Sequence, residues 1–130
     1  MGTQMRIGEV AERTGLSLRT IRYYGEVGLV TPSSRTEGGF RLYTEDDVAR
    51  LELIMTMKPL GYSLEEMSEV LAVVTELEHG PTAARRDSLT EQLVTIRASA
   101  AERRERLQER IAAAESFIAR LDGHLAQSDR

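Results

Sequence analysis

The chain has 130 residues, with 17 Lys+Arg against 21 Asp+Glu for a net charge of −4, and contains neither Cys nor Trp. That length suits one compact domain, or one small domain plus an extension, and 41% hydrophobic with 29% charged residues marks a globular chain rather than a disordered or fibrous one. The absence of Cys excludes disulfides, thiolate nucleophiles and thiolate metal sites, and no apolar run reaches the ~18 residues of a membrane span. The start Met1-Gly2-Thr3-Gln4-Met5-Arg6 lacks the apolar core of a secretion signal, and Arg6 stands where a myristoylation motif wants Ser or Thr. A soluble, cytoplasmic protein is expected.

In chain order, Ile7, Val10, Ala11 and Thr14 form one side of a short helix that stops at Gly15, a left-handed cap. Ser17 then caps a second helix, Leu18 to about Val27, with Leu18, Ile21 and Tyr24 expected inward. A linker of only Gly15-Leu16-Ser17 forbids antiparallel packing and predicts a helix-turn-helix over about 7–27. From Val30 to Tyr43, Pro32-Ser33-Ser34 breaks the helix, Gly38-Gly39 supports a tight turn, and Phe40-Arg41-Leu42-Tyr43 alternates. The expectation is a hairpin, or wing, with Phe40 and Leu42 packed and Arg41 and Tyr43 on the other face.

Thr44-Glu45-Asp46-Asp47 opens a third helix carrying Val48, Leu51, Ile54 and Met55, which Pro59-Leu60-Gly61 stops. Ser63-Leu64-Glu65-Glu66 opens a fourth, carrying Leu64, Met67, Val70, Leu71 and Val74. These bounds give a first unit over 5–75 and a linker over 76–81 around Glu78-His79-Gly80-Pro81. A dimerisation helix follows over 82–125, and then a tail over 126–130. In that helix Leu89, Leu93, Ile96, Ala100, Leu107, Ile111, Ala114, Ile118 and Leu121 follow heptad spacing, with one missing member and a phase slip at Arg103-Arg104. Asp87 to Leu121 alone would measure roughly 52 Å. Nothing else in the chain is long enough to cover that stripe, so a homodimeric coiled coil is expected.

The candidate chemistry lies on the second helix and the wing. Between Met5 and Tyr43 there are six basic and four acidic residues, a local net of +2, and every cation is Arg. Arg19, Arg22, Tyr23 and Glu26 share a helix face flanked by Thr20, a set able to bond phosphate oxygens and base edges. Taken alone, that face is also what a solvated helical hairpin presents. The wing adds Arg41 and Tyr43, with Arg35 nearby, unless the hairpin only closes the core. No metal or cofactor set emerges: His79 and His124 are 45 positions apart and could share a metal only across a dimer interface, against ordinary surface or cap roles. Arg103 and Arg104 are read as pairing with Glu102, Glu105 and Glu109, the alternative being a bound anion. Phe117, Ile118 and Leu121 are read as packing, the alternative being an apolar ligand site. No phosphate-cradling G-x-x-x-x-G-K, nucleophile–base pair or metal spacing suggests an enzyme.

Ile7-Gly8-Glu9-Val10-Ala11, Gly15-Leu16-Ser17, Thr20-Ile21-Arg22-Tyr23-Tyr24, Gly28-Leu29, Gly39-Phe40-Arg41-Leu42-Tyr43 and Leu60-Gly61-Tyr62-Ser63-Leu64-Glu65-Glu66 occur in order and at normal spacing. From Met5 to about Val74 the chain thereby resembles the DNA-binding domain of the MerR family of bacterial transcription regulators. The resemblance implies a mainly α fold, a winged helix-turn-helix followed by a long coiled-coil dimerisation helix. It implies a homodimer that binds palindromes in promoter DNA and bends or untwists them so that RNA polymerase can engage. Ser17, Arg19, Thr20, Arg22 and Tyr23 would serve the groove, Arg35, Arg41 and Tyr43 the backbone from the wing, and Lys58 a phosphate from the corner between the third and fourth helices. A chromosome-anchoring or architectural protein with the same head is the alternative.

Three departures from the family stand out. Gly25 replaces a common Glu, at a cost of about 1 kcal/mol in helix propensity, and Pro59 replaces a helix-compatible residue. The missing cysteines remove the familiar metal- and redox-sensing sites, and the nine residues after Leu121 are too few for a fused ligand domain.

Overall fold

The computed structural model describes residues 4–129; Met1–Thr3, on which part of the reading of the N-terminus rests, and Arg130 of the expected tail lie outside them. The chain divides into two units, residues 1–81 and 82–130. The first contains β1 (Met5–Arg6), α1 (Ile7–Thr14), α2 (Leu18–Glu26), β2 (Ser34–Arg35), β3 (Arg41–Tyr43), α3 (Glu45–Met57), a 3-10 turn at Lys58–Leu60 and α4 (Leu64–Glu78). The second is one helix, α5 (Ala83–Ser128). No described helix is long and apolar enough to cross a membrane.

Local chemistry sets the helix ends. Gly15 takes φ 78°, left-handed backbone that a side chain would strain, and donates its N–H to the Ala11 carbonyl. Thr14 Oγ1 donates to the Val10 carbonyl and accepts from the Leu16 N–H, which holds the turn between α1 and α2. Ser17 accepts from the Thr20 N–H, and Thr44/Asp47 and Ser63/Glu66 form reciprocal capping boxes on α3 and α4. Past the end of α2, the N–H groups of Leu29 and Val30 both return to the Tyr24 carbonyl. This keeps the chain close as it enters the wing.

The core of the first unit is built from Met5, Val10, Ile21, Tyr24, Val30, Tyr43, Val48, Leu51, Ile54, Met57, Met67, Val70, Leu71 and Val73, all buried. Five expectations change. Leu18, the first residue of its helix, is 40% exposed, because the packed turn of α2 begins at Ile21. Met57 replaces Met55 as the inward methionine of α3, and Val73 replaces Val74 on α4. Helix α4 runs to Glu78, so the linker is shorter than the expected 76–81. Helix α5 continues to Ser128, through most of the expected tail.

The largest correction concerns the wing. Tyr43 is completely buried and Phe40 is 58% exposed, the reverse of the expected faces. The cause is β1, which the sequence did not announce. It adds to the second edge of β3 and gives a sheet of order β1-β3-β2, with Met5 opposite Tyr43 and Arg6 opposite Leu42. Met5 and Tyr43 are both buried, so the face carrying Tyr43 turns inward. Phe40 precedes the strand, in the loop closed by Thr36 N–H to the Phe40 carbonyl (2.9 Å), and the Arg6 guanidinium lies 4.8 Å above its ring.

Asp47 ties the wing to the helices. Its buried carboxylate accepts from Ser33 Oγ (2.7 Å), the Thr44 N–H (2.9 Å) and Arg50 Nη1 (3.2 Å). Arg50 Nε in turn donates to Thr75 Oγ1 of α4 at 3.2 Å.

Two outcomes follow for thermal or denaturant unfolding. Asp47→Ala strands Arg50 and frees Ser33, and should cost about 2–4 kcal/mol. Tyr43→Phe removes a buried hydroxyl that has no hydrogen-bond partner, and should change stability by less than about 1 kcal/mol in either direction.

Candidate nucleic-acid interface

Helix α2 turns Ile21 and Tyr24 inward and leaves Arg19, Arg22, Tyr23 and Glu26 exposed. Buried Tyr24 braces Tyr23, with ring centroids 5.8 Å apart. Thr20 is half-buried, and its hydroxyl accepts from Ser17 Oγ at 2.9 Å, so both polar groups at the head of α2 are held by the cap. The helix thus offers two long cations and a phenol on a rigid stem, with its first turn fixed.

Across from α2 the chain turns the corner between α3 and α4. Pro59 lies inside the 3-10 turn, and Gly61 (φ 83°) ends it in left-handed backbone. That corner brings Lys58 and Tyr62 to the rim of a hollow of about 430 Å³ whose other wall is Arg19, Thr20 and Tyr23. Residues 35 positions apart in sequence therefore share one concave surface. Tyr62 was absent from the expected site. Its signal was present in the Leu60-Gly61-Tyr62-Ser63 turn before a capped helix, but only the fold shows that this turn faces α2.

The wing contributes differently from expectation. Arg35 and Arg41 are direct partners across β2 and β3, so the strand register sets two arginines opposite each other. Like charges directly opposite destabilise a strand pair unless something neutralises them. Arg35 is exposed and donates to the Gly39 carbonyl at 3.4 Å, whereas Arg41 is half-buried with Nη1 fully enclosed and without a hydrogen-bond partner. Tyr43, expected on the outer face, is in the core and offers no surface to a ligand. Arg6 and exposed Phe40 form a cation–aromatic pair on the same sheet, a feature that two-residue β1 gave no pattern to find.

Among the described residues Arg19, Arg22, Arg35 and Arg41 form no ion pair. Other arginines of the unit are committed to the fold. Arg13 pairs with Glu45 and so joins α1 to α3. Their hydrogen bond is the main cause that raises the arginine's pKa and lowers the carboxyl's. Arg50 is bonded to Asp47 and Thr75, so a second hollow of about 470 Å³ beside it, near Leu29 and His79, carries no uncommitted arginine. His79 donates Nδ1–H to the Thr75 carbonyl (2.6 Å) at the end of α4. No grouping of three or more metal-ligating side chains occurs among the described residues.

The expected dimerisation residues divide along α5. Leu89 is buried within the single chain and Ile96, Ala100 and Leu107 are half-buried. Leu93, Ile111, Ala114, Ile118, Leu121 and Leu125 are exposed, as is Phe117 at 62%. The outer half of α5 thus carries large apolar side chains in solvent, and the helix is unbroken at Arg103-Arg104.

The profile described as "MerR HTH family regulatory protein" matches residues 5–73, and one described as "MerR, DNA binding" matches residues 48–124. The chain is 48% identical over 75 residues to the HTH-type transcriptional regulator YfmP of Bacillus subtilis, a match covering 57% of this chain and 54% of that one. It is 40% identical over 97 residues to the HTH-type transcriptional regulator ZntR of Escherichia coli, covering 75% of this chain and 69% of that one. Most of the curated relatives are matched over about half their length. Among solved structures, a MerR family transcriptional regulator from Listeria monocytogenes superposes with a TM-score of 0.71 at 28% identity, over 96% of this chain and 91% of that one. By its winged helix-turn-helix head, its long helix and these matches, the chain belongs to the MerR family of helix-turn-helix regulatory proteins.

Proposed function

We propose that the protein is a transcription regulator that binds double-stranded promoter DNA as a homodimer. The observation that carries this reading is the uncommitted charge. Arg19 and Arg22 on α2, Lys58 at the corner and the opposed Arg35 and Arg41 on the wing lie along one unit in which Arg13 and Arg50 are bound to acids and Arg6 rests on Phe40. A net-negative chain that leaves these five cations unpaired on a rigid frame is arranged for a polyanion.

The elements take different tasks in this reading. Helix α2 enters a major groove, where Arg22 and Arg19 reach base edges or phosphates and Tyr23 adds a phenol. Lys58 and Tyr62 grip the backbone from the far side of the shared hollow, and the wing grips it with Arg35 and Arg41. The apolar outer half of α5 pairs with the same helix of a second chain, which covers Ile111, Ile118 and Leu121. With 46 residues, α5 is about 69 Å long, comparable to two DNA turns of ~34 Å each. Half-sites two turns apart suit it, and a rigid connector makes the duplex bend or untwist to meet both heads, so DNA deformability contributes to specificity. RNA polymerase at the promoter is the partner that such a distortion would serve.

Genomic fragments selected by the purified protein, then footprinted, should yield a palindrome with half-sites about two turns apart. On that site Arg22→Ala should lose about 1–3 kcal/mol of affinity, and Lys58→Ala should lower the salt slope by about one. Leu121→Asp should convert the dimer to monomer in sedimentation and lose operator affinity with it. Equal binding to palindromic and random duplexes, or a wild-type monomer, would overturn the reading.

A further inference from the structure

Gly25 lacks the usual reasons for a glycine. Its backbone is helical in α2 and not among the left-handed positions, and a Cβ built there would meet nothing closer than 3.6 Å, an ordinary contact. Neither strain nor space excludes a side chain, and glycine weakens the last turn of a helix. The atom at 3.6 Å is Arg41 Nη1, and the next is the Val30 carbonyl oxygen at 3.7 Å. That same nitrogen is fully enclosed and has no hydrogen-bond partner. A donor of a charged group is thus sealed at the seam between wing and α2, beside Gly25, which has no side chain to accept from it.

We infer that Gly25 sets the affinity of the interface by keeping the charge of Arg41 uncompensated. This rests on the DNA-binding reading above. A carboxylate at position 25 would lie within ion-pair range of Nη1 and cancel much of the field that Arg41 projects to a phosphate. It would also relieve the repulsion between Arg41 and Arg35 across the hairpin, and so stabilise the free protein. The unit trades stability for binding at this seam. Arg41 is a binding cation held from beneath, and Gly25 is a positioning residue that acts only through it.

The test uses the full chain and a fluorescein-labelled random-sequence duplex of about three helical turns at low salt, because phosphate contacts do not depend on sequence. Gly25→Ala, with helix propensity gained and no charge, and Gly25→Asn, a neutral isostere of Asp, should bind within about twofold of wild type. Gly25→Asp should bind about tenfold more weakly or worse, and melt at a higher temperature than Gly25→Asn. In an Arg41→Ala background, Gly25→Asp should change neither affinity nor melting temperature relative to Gly25→Asn. That arm separates pairing with Arg41 from pairing with Arg22, three residues earlier, and from plain repulsion of DNA. If the acid weakens binding equally with and without Arg41, or if Gly25→Asp binds like Gly25→Asn while Arg41→Ala is weakened, the inference about Gly25 fails and the DNA-binding reading stands. Wild type that leaves the duplex unbound at low salt overturns both.

Discussion

The arrangement of the first unit depends on one buried carboxylate. Asp47 is the third residue of a capping box, and a local motif explains its bond to the Thr44 N–H. The same group also accepts from Ser33, where the chain enters the wing, and from Arg50, which reaches on to Thr75 of α4. It thereby joins the entry of the wing to the first turns of α3 and, through Arg50, to α4. A buried carboxylate is tolerated because every one of these contacts donates to it, and each donor is fixed in turn. The wing has strands of only two and three residues, too short for independent stability. Its orientation relative to α3 is set by this junction and by the burial of Tyr43 against Met5.

The frame explains how a chain of net charge −4 presents a cationic surface. The arginines fall into two groups. Arg13 pairs with Glu45 between α1 and α3, and Arg50 with Asp47 within α3, so each of these charges is offset by an acid. Arg19, Arg22, Arg35 and Arg41 form no ion pair among the described residues, so their charge is left over. Charge counting along the sequence treats them all alike, and over Met5–Tyr43, which includes Arg6 and stops short of Arg50, it finds an excess of only two. The fold distinguishes them, and the distinction carries more functional information than the total.

The parts legible in the sequence were those governed by local chemistry. Ser17, Thr44 and Ser63 are caps because a hydroxyl three residues before a free N–H is sufficient, and Gly15 stops α1 because only the left-handed cap ends it there. The heptad stripe of α5 and the exposed face of α2 repeat often enough to be read directly. The wing was read in the wrong phase because three residues of strand cannot establish a period, and the partner that decides the matter, Met5-Arg6, is shorter still. Tyr43 went to the surface in that reading for the same reason. Tyr62 and the seam between Gly25 and Arg41 depend on contacts across 16 to 43 positions, which no local pattern encodes.

The place of β1 has a practical side. Gln4 Nε2 donates to Ser34 Oγ at 3.2 Å, and Arg6 rests on the ring of Phe40, so the leading end of the described chain is stitched into the edge of the hairpin. Gln4 is thereby held next to Ser34, the neighbour of Arg35 on the wing. An affinity tag or fluorescent reporter attached at this end would crowd the wing, and an acidic linker would screen its arginines.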